Sequence, residues 1–102
     1  MGKFVKVASV SNVRPGQATC AEVEGHAIGI FNVDGTYYAV DNICTHAGGP
    51  LSEGFIEGGQ VECPWHGARF DVKSGKALSA PAIEEVKTYP VRVNGPDIEV
   101  EL

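Results

Sequence analysis

"CTHAGGPL" (residues 44–51) and "CPWHGARF" (residues 63–70) are the two stretches on which the reading of this chain turns. The first sets Cys44 and His46 two positions apart, and the second sets Cys63 and His66 three apart. Sixteen residues lie between the pairs. The whole chain holds three cysteines and three histidines, so two of each are concentrated in two similar loops. Thiolate and imidazole are good ligands for both zinc and iron. Four such donors close a tetrahedral zinc site, or supply two ligands to each iron of a sulfide-bridged pair. Structural zinc segments usually pair Cys with Cys or His with His. Here each segment mixes one of each.

Outward from the loops, the sequence reads as short strands and turns. "KFVKVASV" (3–10) and "TCAEVEG" (19–25) flank the turn "RPGQ". "HAIGIFNV" (26–33) and "TYYAVDN" (36–42) flank Asp34-Gly35, a dipeptide suited to a two-residue hairpin because Gly tolerates positive φ. "RFDV" and "KALS" flank Ser74-Gly75, while "TYPVRV" and "DIEVEL" flank Asn94-Gly95-Pro96. Only "APAIEEVK" (80–87) offers a helical turn, and Pro81 limits it. The expected fold is all-β, one domain over residues 1–102, a small antiparallel sandwich or barrel. Residues 42–69 interrupt its rhythm as an inserted metal-carrying subdomain, with a Gly-rich connector and a short strand near Gln60–Glu62.

Composition narrows the function. A length of 102 residues suits one domain, and 43% hydrophobic with 21% charged residues suits a soluble globular protein. No apolar run approaches a membrane span, and "MGKFVKVASV" lacks a signal-peptide core. A soluble cytoplasmic monomer is therefore expected. Eight Lys and Arg against thirteen Asp and Glu give a net charge of −5. Without a basic block to neutralise phosphates, nucleic-acid binding is excluded as an expectation. Cys20, in an alternating stretch, reads as a small buried hydrophobe of a strand. His26 reads as a turn or strand-edge residue, and Arg69 as a solvated or salt-bridged one.

With one Cys and one His per loop, the chain resembles the Rieske-type [2Fe–2S] ferredoxins, whose signature is C-x-H, a gap of about 15–17, then C-x-x-H. The Gly and Pro after the first pair, and Pro64 and Gly67 of the second loop, belong to the same likeness. The resemblance implies one [2Fe–2S] cluster in a Rieske fold. Cys44 and Cys63 would hold an inner iron and His46 and His66 an outer one. It also implies a role as the ferredoxin component of a bacterial aromatic-ring dioxygenase. Such a carrier takes single electrons from an NAD(P)H-dependent flavoprotein ferredoxin reductase and passes them to a terminal Rieske oxygenase. An oxygenase needs a further two histidines and a carboxylate for its mononuclear iron. Only His26 remains, so an electron carrier rather than an enzyme is expected. A small Rieske-like subunit of nitrite reductase and a structural zinc protein are the alternatives.

High-potential members of the family carry a further cysteine in each loop, joined as a disulfide, and a serine and tyrosine after the second histidine. This chain has Gly49, Trp65, Ala68 and Phe70 there, which implies a low potential. Ligand imidazoles that keep a ring N–H lose that proton more readily beside ferric than ferrous iron. The midpoint is therefore expected to be flat near neutral pH and to fall at alkaline pH, as a redox titration at several pH values will show.

Overall fold

The computed structural model describes residues 3–42, 50–64, 67–78 and 85–102. Ten strands run in chain order: β1 (Phe4–Ser9), β2 (Ala18–Val23), β3 (His26–Val33), β4 (Thr36–Asp41), β5 (Phe55–Glu57), β6 (Gln60–Glu62), β7 (Arg69–Asp71), β8 (Thr88–Tyr89), β9 (Val91–Asn94) and β10 (Asp97–Glu101). They form three sheets with orders β1-β10-β9, β2-β3-β4-β8 and β5-β6-β7. All the strand pairings are antiparallel. Apart from two single 3₁₀ turns, Val10–Asn12 and Leu51–Glu53, the described residues contain no helix. The all-β expectation holds.

Turn chemistry sets the register. Asp34 and Gly35 both take positive φ (51° and 92°), which the type I′ turn between β3 and β4 demands. Glu24-Gly25 makes the same turn between β2 and β3 (51° and 84°), a hairpin the sequence signalled less clearly because Glu rarely occupies that position. Gly58-Gly59 repeats it between β5 and β6, so the Gly-rich connector holds a strand, β5, that was not expected. The strand near Gln60–Glu62 is present as β6. "TYPVRV" divides at Pro90, which has no N–H to donate. Its first part, β8, pairs with β4, and its second, β9, pairs with β10. The Ser74-Gly75 turn brings Ala77 back opposite Phe70. Most of "APAIEEVK", residues 80–84, lies outside the described residues.

The central strand β3 is buried on both faces, which explains its nearly unbroken apolar run. Ile28 and Ile30 point into a core with Val13, Ala39, Tyr89, Ile98 and Val100, between the first and second sheets. Phe31, of opposite parity, points into a second core with Val40, Leu51, Val61, Ala68, Phe70 and Val72. That second core seats the β5-β6-β7 sheet on the scaffold.

Gly54, in the connector, lies tightly against β6. A Cβ built there would collide with the backbone carbonyl of Glu62. The adjacent Phe55 is 76% exposed. We expect Gly54→Ala to cost about 1–3 kcal/mol, and Phe55→Ala to stay within about 0.5 kcal/mol, both read by thermal unfolding.

Candidate metal centre

The second loop is built by the β6–β7 hairpin. Val61 and Phe70 pair across it and are fully buried, while Glu62 and Arg69 pair on the solvent face. One step further, the Cys63 N–H donates to the Ala68 carbonyl at 2.7 Å and closes the loop at its root. Gly67 within this loop has φ +74°, a conformation that favours glycine. Arg69 Nη2 lies 3.0 Å from Glu62 Oε1, so the salt-bridged reading of Arg69 holds. This partly exposed pair straddles the loop root and contributes little to stability.

Cys63 is 1% exposed and belongs to the same core cluster as Leu51, Val61, Ala68 and Phe70. A thiolate in such surroundings is costly unless a cation compensates its charge. Its position therefore fits a buried metal ligand. Among the described residues no three His, Cys, Asp or Glu side chains gather as a metal set. Cys44, His46 and His66, with Gly48, Gly49 and Trp65, lie outside the described residues. Pro64 is exposed and Pro50 half-buried.

The first loop is closed by a residue that the sequence reading missed. Asn42, at the end of β4, is 6% exposed. Its N–H donates to the Ala27 carbonyl at 2.9 Å. Its own carbonyl accepts from the Leu51 N–H at 2.9 Å, and its side-chain Oδ1 accepts from the Ser52 N–H at 2.7 Å. The entry and exit of the stretch 43–49 are thereby joined. The available signal was an asparagine, a residue that readily bonds backbone N–H groups, two positions before the first loop cysteine. Next to it, Asp41 N–H donates to the Lys87 carbonyl at 2.8 Å, and Tyr89 OH donates to Asp41 Oδ1 at 2.6 Å. Burial first, and then Asp41, push the Tyr89 phenol far above its ordinary range.

Cys20 corrects an expectation. It lies on a strand, β2, but it is exposed rather than buried. The strand is at the edge of its sheet, and Cys20 has the same parity as Glu22 and Glu24. Its neighbour Ala21 takes the inward position. His26 is exposed at the first position of β3, edge-on to the Tyr89 ring at 6.2 Å, as a strand-edge residue should be.

Partial burial raises the Cys20 pKa above its ordinary 9.0. The Asn42 side chain, donating to the sulfur, opposes the rise, while Glu22 and Glu53 add to it. A raised pKa keeps the thiol protonated at neutral pH. Iodoacetamide labelling of Cys20, followed by mass spectrometry across pH 7–11, is expected to reach half its maximal rate above pH 9.0.

Comparison with known proteins gives this geometry its context. Residues 3–90 match the Rieske [2Fe-2S] domain. The chain is 39% identical over 100 residues to the ferredoxin component of the naphthalene 1,2-dioxygenase system of Pseudomonas putida, covering 98% of this chain and 96% of that one. It is 41% identical over 99 residues to the biphenyl dioxygenase ferredoxin subunit of Pseudomonas sp. (strain KKS102), covering 96% and 91%. The ferredoxin of carbazole 1,9a-dioxygenase from Nocardioides aromaticivorans IC177 superposes with a TM-score of 0.91 at 33% identity, covering 96% of each chain. A chain from a complex of reduced oxygenase and oxidized ferredoxin in carbazole 1,9a-dioxygenase gives 0.90 at 30%, covering 96% and 92%. The buried Cys63 at a stapled loop root suits the cofactor this likeness implies. The chain belongs to the Rieske [2Fe–2S] family, and its cofactor is one [2Fe–2S] cluster.

Proposed function

We propose that this protein is an electron-transfer ferredoxin of an aromatic-ring dioxygenase system. It accepts single electrons from an NAD(P)H-dependent flavoprotein reductase and delivers them to a terminal Rieske oxygenase. The observation that carries the reading is the likeness, over almost the whole chain, to ferredoxin components of dioxygenase systems. A structural relative found in a complex with its oxygenase supports the acceptor. We also infer that the chain works as a monomer in the cytoplasm, as one domain whose residues 42–69 carry the cofactor. The exposed large apolar residues Phe55, Leu78 and Val93 lie on separate segments and form no continuous stripe among the described residues.

In this proposal Cys44 and Cys63 hold one iron, and His46 and His66 the other. When bound, the cluster supplies a one-electron couple. The protein's part is to fix the donors, exclude water from the thiolate side and tune the surroundings. Cys63, within the buried core, serves the second of these. Ala68 and Phe70, both fully buried in the core cluster that holds Cys63, serve the third by offering no hydroxyl.

Mixing the protein with a flavoprotein reductase, NADH and a terminal oxygenase tests the role. Electrons should reach the oxygenase only when this protein is present, and no transfer in any such pairing would overturn it. Replacing His46 or His66 by Ala, or Cys44 or Cys63 by Ser, should abolish the two-iron visible and EPR spectra. Persistence of those spectra would reject the ligand assignment. The midpoint should be below zero, in the lower third of the family range of about −150 to +300 mV. Introducing hydroxyls by Ala68→Ser or Phe70→Tyr should raise it, each by at most about 65–130 mV.

A further inference from the structure

We propose that Asn42 is the positioning residue of the first metal loop, acting through its side-chain oxygen. The inference rests on the cluster reading above, and it concerns a residue outside the four-ligand motif. Only two polar side chains are buried among the described residues, Asn32 and Asn42. Asn32 caps the β3–β4 turn, accepting from the Gly35 N–H at 2.8 Å and donating to the Val13 carbonyl at 2.8 Å. Its place is in the scaffold. Asn42 does similar bonding at the base of the stretch that contains Cys44 and His46.

The site around Asn42 is shaped to receive it. In β2, β3 and β4, Cys20, Gly29 and Val40 lie in one cross-strand row. A Cβ at Gly29 would fall 2.9 Å from Asn42 Oδ1 and 2.9 Å from Phe31 Cε1. Glycine there leaves the space the amide occupies. In that space Oδ1 accepts from the Ser52 N–H at 2.7 Å. The backbone of the same residue binds Ala27 and Leu51. One residue thus ties the central strand and the loop exit to the loop entry, its side chain holding the exit at Ser52. Leu51 carries the tie onward, because it packs in the same core as Cys63. Fixing both ends of the stretch 43–49 limits where its two donors can lie relative to the second loop.

The role differs from ordinary stabilisation in what it predicts. Losing a buried side-chain bond lowers unfolding temperature wherever it occurs. A positioning role also loosens the cluster. The experiment compares Asn42→Ala, Asn42→Asp and the scaffold control Asn32→Ala in the holoprotein. The readouts are unfolding temperature, bleaching rate in excess chelator, and the EPR and visible circular dichroism spectra. Both alanine variants should unfold at lower temperature. Only Asn42→Ala should bleach about tenfold faster, as expected for the loss of one such bond, and change its spectra. Asn42→Asp keeps an accepting oxygen for the Ser52 N–H, so it should bleach more slowly than Asn42→Ala and keep the wild-type spectra.

Equal bleaching and unchanged spectra in the two alanine variants would overturn the proposal while leaving the cluster reading intact. Asn42→Asp bleaching as fast as Asn42→Ala would overturn the assignment to the accepting oxygen. A colourless, iron-free wild-type protein would overturn the cluster reading and this inference with it.

Discussion

The burial of β3 on both faces is the constraint from which the rest of the structure follows. Its odd and even side chains enter different cores, Phe31 beneath the β5-β6-β7 sheet and Ile28 and Ile30 against β10. A strand in that position cannot slip by one residue without exchanging the two sets. The neighbouring strands inherit its register through I′ turns at each end. β4 inherits its division of faces as well, with Val40 in one core and Ala39 in the other. The β5-β6-β7 sheet is therefore docked by packing against a strand that is itself fixed from the opposite side.

The two metal loops solve the same problem with different chemistry. Each leaves the scaffold and must return to a defined place. The second loop returns along a hairpin ladder, and the Cys63–Ala68 bond is simply its next rung. Among the described residues no strand pair stands at the root of the first loop, which leaves β4 and comes back beside a 3₁₀ turn. Asn42 supplies from one residue the acceptors that a strand partner would otherwise provide. The asymmetry explains why a buried asparagine stands beside one loop and none beside the other.

Much of this was legible because it is encoded locally. The Asp34-Gly35 turn, the alternation of β10 and the C-x-H and C-x-x-H spacings each speak through neighbouring residues. What the sequence concealed is long-range. Cys20 looked like a core residue because thiols usually are, yet its parity with Glu22 placed it on the exposed positions of an edge strand. The division of "TYPVRV" was foreshadowed by Pro90, but which sheet each half would join depends on β4 and β10, far away in the chain. Asn42 was invisible for a related reason. Its partners Ala27 and Ser52 become neighbours only after folding, and asparagine near a turn has many uses.

This arrangement separates two kinds of stability. The β1-β10-β9 sheet and the core it shares with Ile28 and Ile30 include none of the four motif residues. The second core includes Cys63 directly. Destabilising the first core leaves the packing around Cys63 to the second, whereas altering the second changes the volume around the Cys63 thiol itself. In a carrier that must change charge without changing shape, that separation is useful. The scaffold can hold the fold, while the described residues that share the core cluster of Cys63 stay buried and apolar. The absence of hydroxyls from Ala68 and Phe70 is then a property of the core as much as of the redox site, because both positions are fully buried by the packing that seats the hairpin.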